Sequence, residues 1–443
     1  MEPTATLTGA ALALIHTGQA PTRSALTARL GVTRATTGAI TSELRDLRLI
    51  QVVAASGDGQ HGRPSHQLLP DPDGPVALAA EVYPGGFAVA LVGLGATIVA
   101  RLSRELPVPA DPEQALAPVS EAGATLLRQS GRRCVGAAVA VPAAVTEPDG
   151  AVVGALYLDW PDGTRVRDIF AAQLAKHGVT GPHDVPLTLS PAPSAQGGLA
   201  FQAGLAVQTP LAPSAAQSGL AVPAPSAAQT PQACRAINDV NAVALAEHRH
   251  GAGRDAAHLL VVAATRRGVG SALVLRGALY TGSTGLAMEA GHVSIDPHGR
   301  RCPCGSRGCL NVETDAARFL DAAGRAYDPG GGAPLDEAIA LLTTGRATDP
   351  RVRDAVSILV DRLGLGLASL VNVINPDRVL LGGLHKHLLL AAPKELREAV
   401  AARTPWGRGA AVPITGCALD DAAILGAAEL AWQPVLDNPA LLR

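Results

Sequence analysis

The sequence predicts an α/β protein that opens with a winged helix-turn-helix. Three observations predict it. Residues 6–50 carry helix signals on either side of a break at Gly31. From residue 76 onward, short apolar runs alternate with segments of helical period. The stretch EAGHVSIDPHGRRCPCGSRGC, residues 289–309, crowds two His and three of the six Cys into a Gly-rich run. A chain of 443 residues exceeds one ordinary core, so two or three domains are expected.

The N-terminal module comes first. TLTGAALALIHTG has apolar residues at helical spacing and ends in Gly. Thr22 is a cap for a helix facing inward through Leu26 and Leu30, and Gly31 ends it. Thr33 caps a second helix with Ile40, Leu44 and Leu47 inward. QVVAAS and SHQLLP read as two strands around the polar loop GDGQHGRP, which makes a wing. A small helical module for protein contacts shares these helices. DNA binding is favoured because the second helix opens Thr33-Arg34-Ala35-Thr36-Thr37, side chains suited to phosphates and base edges. The candidate DNA contacts are Arg23, Thr33, Arg34, Thr36, Thr37 and Arg63 in the wing. Gly38 and Ala39 offer no side chain for base readout.

Composition narrows the partners. Net charge is -2, so no basic excess announces nucleic acid and any DNA surface must be local. Hydrophobic content of 47% supplies a core for each domain. The N-terminus lacks a charged-then-apolar leader, and no apolar run of about 20 residues is free of charge or Gly. A cytoplasmic protein without a membrane segment is expected. In a reducing compartment, cysteines serve metals better than disulfides.

PDPDGP, residues 70–75, reads as a linker. ALAAEVYPGGFAVALVGLGATIVARLSRELPV reads as strands joined by turns, VGAAVAVPAAV as a buried strand, VRDIFAAQLAKHG as a helix and VPLTLS as a short strand. Residues 260–282 read as strand, Gly turn, strand. Residues 190–233 are uncharged, rich in Pro, Ala, Ser and Gln, and imperfectly repeated. They are expected to be a flexible insertion with little regular structure.

His292, Cys302, Cys304 and Cys309 provide one imidazole and three thiolates, a set suited to tetrahedral zinc with no position left for water. Such a closed site argues for a structural ion. Gly305 and Gly308 permit the tight turns between the ligands.

With these residues on the page, the chain resembles the ROK family of repressors and kinases. Members carry Gly-Glu-x-Gly-His followed by Cys-x-Cys-Gly-x-x-Gly-Cys-x-Glu. Here the motifs stand as Met288-Glu289-Ala290-Gly291-His292 and Cys302-Pro303-Cys304-Gly305-Ser306-Arg307-Gly308-Cys309-Leu310-Asn311. Asn238-Asp239-Val240-Asn241-Ala242, VNVINPDRVLLGG at 371–383 and DDAAILGAAELA at 420–431 extend the match. The N-terminal module, ending in Gly62-Arg63-Pro64, looks like that of the family's regulators. The resemblance implies a two-lobed actin/hexokinase-like (ribonuclease H-like) domain with a structural zinc and a sugar site in the cleft. Its expected organisation is a winged helix-turn-helix at 1–70, a first lobe at 76–189, the insertion at 190–233 and a second lobe at 234–419. The C-terminal helix at 420–443 is expected to return to the first lobe.

By the same resemblance, Asp239 stands where the kinases place their base, and Asn238, Glu289, His292 and Asn311 match sugar contacts. Two departures weigh against kinase activity. The phosphate loop Asp-x-Gly-Gly-Thr corresponds to Glu81-Val82-Tyr83-Pro84-Gly85-Gly86-Phe87, where Pro84 removes an N–H and Phe87 replaces a hydroxyl. The second phosphate region carries Arg266 and Arg267 where small residues are usual, either to bind an anion or to face solvent, and solvent is the expectation. Asn311 replaces the Glu of Cys-x-Glu, and Glu313 is expected to face elsewhere. Met288 replaces Gly, and Pro142-Ala143-Ala144-Val145 stands where Pro-Gly-x-Val is usual. The expected function is therefore a repressor that binds an operator as a homodimer or homotetramer and responds to a sugar or sugar derivative. It is not expected to be an enzyme. An active carbohydrate kinase with an accessory module is the alternative, and a regulator that has lost its effector response is a third reading.

Overall fold

The computed structural model describes residues 5–54, 66–155, 158–179, 234–266, 268–327, 334–346, 348–407 and 411–443. The wing loop with Arg63, the strand expected at VPLTLS, the insertion at 190–233 and Arg267 lie outside the described residues.

The first helices form as their caps dictate. Thr6, Thr22 and Thr33 each accept a backbone N–H at the starts of α1 (Leu7–His16), α2 (Arg23–Leu30) and α3 (Arg34–Asp46). Gly31 ends α2 in the left-handed conformation, with φ 65°. Leu26, Ile40 and Leu44 are buried between the helices, with Leu30 and Leu47 packed against them. The strands β1 (Ile50–Val53) and β2 (Gln67–Pro70) pair antiparallel. The stretch read as a linker is a fixed turn: Asp71 accepts from Arg48 Nε at 2.9 Å and from its own turn at Asp73 N.

Two five-stranded sheets follow, and their strand orders correspond. The first contains β3 (Val76–Tyr83), β4 (Gly86–Gly93), β5 (Thr97–Glu105), β6 (Cys134–Val141) and β9 (Cys234–Asn238) in the order β5-β4-β3-β6-β9. Helix α4 (Pro112–Ser130) joins β5 to β6. The short hairpin β7 (Ala144–Val145) and β8 (Val152–Val153) and helix α5 (Val166–Lys176) come before β9. Helix α6 (Asp239–His250) then leads to the second sheet, with β10 (His258–Thr265), β11 (Gly268–Leu275) and β12 (Ala278–Leu279). After α7 (Leu310–Thr314), α8 (Ala316–Ala322), α9 (Pro334–Gly345) and α10 (Pro350–Ile374) come β13 (Arg378–Gly383), α11 (Leu384–Ala391), α12 (Pro393–Ala401) and β14 (Ile414–Gly416). The second order is β12-β11-β10-β13-β14. In each sheet an antiparallel meander of three strands is extended by two parallel strands. Repetition of one topology makes the two lobes of an actin/hexokinase-like fold.

One expected boundary is corrected. Residues 234–238 do not begin the second lobe: β9 pairs parallel with β6 and completes the first sheet. The C-terminal helix α13 (Ala422–Asp437) does pack against β3 and β6. It also crosses α6 where a Cβ at Gly426 would lie 1.8 Å from Ala242 O, so only Gly allows the approach. Helix α10 is long and apolar enough to cross a membrane by composition, yet its Leu359, Leu363, Leu367 and Val371 are buried in the second-lobe core.

Candidate functional site

The cleft between the lobes gathers the predicted ligand residues. A cavity of about 380 Å³ is lined by Asn238, Asp239, Glu289, His292 and Asn311. Pro142, Ala143 and Ala144 form part of its first-lobe wall, and Val269 and Gly270 part of the second. Asn238 caps α6 by accepting from Val240 N and Asn241 N at 3.0 Å, and its Nδ2 donates to Ala143 O at 3.1 Å. That places the Asp239 carboxyl at the helix start, where Oδ1 accepts from Val240 N at 2.8 Å. Burial pushes Asp239 up to about 6, against the Val240 N–H, and nearby Glu289 adds to the rise. Glu289 is exposed at the cleft mouth, but loss of water on the cleft side raises its carboxyl as well.

The sequence reading missed an acidic group beneath the hairpin tips. Burial pushes Glu81 up to about 7, and the charges of Asp239 and Asp421 raise it further. Nothing in the local sequence joins these three carboxyls; the fold does.

Asn311 lines the cleft cavity, and most of its side chain is turned into the protein. It is 3% exposed, its Oδ1 accepts from Val269 N at 2.5 Å, and Nδ2 lies 3.9 Å from Cys302 Sγ. The amide therefore ties the cysteine loop to β11. Glu313 faces away from the cleft as expected, accepting from Arg300 N at 2.9 Å. Met288 adopts φ 67°, the left-handed region that explains why Gly serves there in related motifs.

The two hairpin tips also differ from expectation. Tyr83 and Gly86 face each other across a two-residue turn, so Gly85 (φ 101°) and Gly86 serve the hairpin. Phe87 is buried. Arg266 does not simply face solvent. Its guanidinium lies 5.5 Å from the Tyr83 ring centroid, across the lobes, and 3.5 Å from Asp336.

His292, Cys302, Cys304 and Cys309 offer ligand atoms that all lie within 4.8 Å of one another, a cluster that could hold a metal. His292 Nδ1 is 3.6 Å from Cys302 Sγ, and Cys304 Sγ is 3.7 Å from Cys309 Sγ. Gly308 (φ 60°) makes the return turn, where any Cβ would collide with Asp296 O. Burial lowers the His292 pKa and keeps a lone pair available. Cys304 and His292 also line the cleft, so the cluster forms part of its wall.

In the N-terminal module, Thr33 and Arg34 are exposed and Thr36 is half-buried at the start of α3. Thr37 is corrected. It is 1% exposed, and its hydroxyl meets Thr27 Oγ1 at 2.9 Å between the helices. Arg23 is half-buried at the start of α2.

Comparison with known proteins adds to this geometry. The family model described as the ROK family matches residues 203–433, just over half of the chain. A glucokinase from Thermotoga maritima is 34% identical over 208 residues, 44% of this chain and 64% of that protein. The DNA-binding transcriptional dual regulator NagC of Escherichia coli is 29% identical over 156 residues, 34% of this chain and 38% of that one. The chain thus matches less than two thirds of either relative. Among solved structures, a ROK family transcriptional regulator, a homolog of the E. coli MLC protein, superposes with TM-score 0.68 at 19% identity, covering 98% of this chain and 96% of its own. A ROK family glucokinase from Streptomyces griseus, in complex with glucose and AMPPNP, superposes with TM-score 0.58 at 19% identity, covering 81% of this chain and 99% of its own.

Proposed function

This chain belongs to the ROK family, and from that premise we propose that it is a DNA-binding transcriptional repressor whose cleft takes a sugar or sugar derivative. The observation that carries the reading is the N-terminal module. Arg34, Thr33 and Thr36 stand at the exposed start of a capped second helix, as a recognition helix requires. Arg63 would supply a wing contact to phosphate. The regulator of similar fold spans 98% of the chain, whereas the glucokinase spans 81%. A repressor of this design works as a homodimer or homotetramer, so that two modules read the two halves of an operator.

The cleft supports effector binding without phosphoryl transfer. Asn238, Asp239, Glu289 and His292 offer the mixed donors and acceptors that sugar hydroxyls need. At the hairpin tips, Pro84 has no N–H to give a phosphate, and the Arg266–Tyr83 contact bridges the lobes.

The metal cluster suits zinc. Tetrahedral zinc places thiolate sulfurs about 3.8 Å apart and a sulfur and imidazole nitrogen about 3.6 Å apart. The observed separations, 3.7 and 3.6 Å, fit that arrangement. When bound, the ion holds residues 292–309 in shape, with His292, Cys302, Cys304 and Cys309 filling its coordination.

A sugar kinase remains the second reading, on the observation that Asp239, raised to about 6 in the cleft, suits a base for a sugar hydroxyl. The test is binding of the purified protein to DNA upstream of its own gene, at fixed salt. Glucose, N-acetylglucosamine, xylose and their phosphates would be added in turn. Specific binding that one of these changes supports the repressor. No specific binding, with ATP-dependent sugar phosphorylation lost in Asp239→Asn, overturns it in favour of the kinase.

A further inference from the structure

Glu429, in the middle of α13, is fully buried. It accepts from donors on two other segments. His16 Nε2 lies 2.8 and 3.0 Å from its two oxygens, Arg249 Nη1 donates at 2.6 Å, and His250 Nε2 lies at 2.8 Å. Arg249 also donates to Gln433 on α13. A buried carboxylate with three such donors is strongly held, and losing one partner exposes its desolvation cost.

Two imidazoles and a carboxylate this close also form a candidate metal cluster. The tautomer of His16 argues against one. Its Nδ1 accepts from Gly95 N at 2.9 Å, so the single proton of the neutral ring sits on Nε2 and points at Glu429. A metal at Nε2 would need both nitrogens bare. The cluster is a latch of hydrogen bonds and charge.

The latch joins the two ends of the proposed regulator. His16 closes α1, the first helix of the DNA module. Arg249 and His250 close α6, whose opposite end is Asn238 and Asp239 in the cleft. Twelve helical residues make a rod of about 18 Å. Asn238 fixes one end of it to Ala143 O. The close crossing at Gly426 leaves no slack against α13. Just beyond α6, Arg254 Nη2 donates to Thr17 O, a second and weaker tie to the end of α1.

We propose that α6 is the rod that carries the state of the cleft to the DNA-reading module, through Arg249 and His250 to Glu429, and from Glu429 to His16. The inference rests on the ligand-responsive regulator reading and names its route. Within such a route, a shift at the cleft end moves a rigid element whose far end holds α1 in place.

Amide hydrogen exchange in the full chain tests it without any ligand. Asn238→Ala removes the cap and the hold on Ala143 at the cleft end. Exchange of the α1 amides should then rise on the order of five-fold. In a Glu429→Gln background the same substitution should change α1 exchange by about two-fold or less, the residue passing through Arg254. Where Glu429→Gln does not fold, Arg249→Gln combined with His250→Gln cuts both α6 links and leaves His16 on Glu429. Where Asn238→Ala does not fold, Asp239→Asn perturbs the same end. The proposal is overturned if α1 exchange is unmoved while the start of α6 loosens, or if it moves equally in both backgrounds. Failure to bind upstream DNA, measured separately, would sink the regulator reading and leave the exchange result standing.

Discussion

Arg266 of the second lobe reaches Tyr83 of the first, with its guanidinium 5.5 Å from the ring centroid. The contact joins the tips of the β10–β11 and β3–β4 hairpins, the two stretches that the family resemblance matches to phosphate loops. An arginine on an aromatic face in a partly exposed place contributes about 0.5–1 kcal/mol. The ion pair to Asp336, exposed on both sides, adds little. Arg266→Ala should therefore lower stability by about 1 kcal/mol or less. Calorimetric titration of the wild type with AMPPNP should show no binding heat. Clear nucleotide binding would mean that the tips open readily, and would return the kinase reading to first place.

The helix-turn-helix makes a prediction that separates two neighbours on α3. Arg34 is exposed at the first turn. Arg34→Ala should weaken binding to all DNA sequences and reduce the salt slope by about 1. Thr37 lies one helical turn further and is buried against Thr27. Thr37→Ala should lower stability by about 1 kcal/mol and leave the sequence preference intact. Anisotropy titrations across salt concentrations distinguish the two. If Thr37→Ala changes base preference, the orientation of α3 is wrong.

These two residues also show what the sequence could disclose. Caps at Thr22 and Thr33 and the break at Gly31 are local signals, and they placed α2 and α3 correctly. Which face of α3 turns inward depends on α2, and Thr37 is polar on a face that packs through a hydroxyl pair. Polarity alone therefore misassigned it. The cysteine cluster was legible because its ligands sit close in sequence. The Asp239, Glu81 and Asp421 group was not, since its members come from residues 81, 239 and 421 and only the crossing of α6 and α13 over the first sheet unites them. The same holds for the internal bonds of Asn311, which lines the cavity at the position where the motif suggested a ligand contact. Its amide is committed to Val269 and the cysteine loop, a partnership visible only in three dimensions.

The metal cluster predicts unequal cysteines. Cys309 is fully buried and Cys304 is exposed at the cleft wall. Elemental analysis of purified protein should find one zinc ion per chain, and a strong chelator should lower the melting temperature. Cys304→Ser removes a ligand only. Cys309→Ser removes a ligand and places a hydroxyl in a closed core, so it should cost on the order of 1 kcal/mol more. Protein that carries no zinc, or that melts identically after chelation, would refute the assignment.

The acidic group beneath the hairpins gives a pH dependence of definite sign. The folded pKa of Glu81, about 7, lies above its ordinary 4.5 because burial and the charges of Asp239 and Asp421 oppose ionisation. The folded protein therefore holds this proton more tightly than the unfolded chain does. Below pH 4.5 both states are protonated and the group is neutral in effect. As pH rises from 4.5 to 7, the unfolded chain releases a proton that the folded state keeps, so stability falls and then levels off above 7. Glutamine keeps the shape and carries no charge. Glu81→Gln should therefore stabilise the protein at pH 8, by up to about 3 kcal/mol, and the gain should fade as pH approaches 5. Glu429 behaves oppositely. His16, His250 and Arg249 overcome its burial and hold its carboxyl well below the ordinary range, so its contribution is lost only as pH drops below about 4.5. Melting temperatures of wild type and Glu81→Gln between pH 3 and 8 separate the two windows. A gain independent of pH would assign the effect to packing and remove the charge argument.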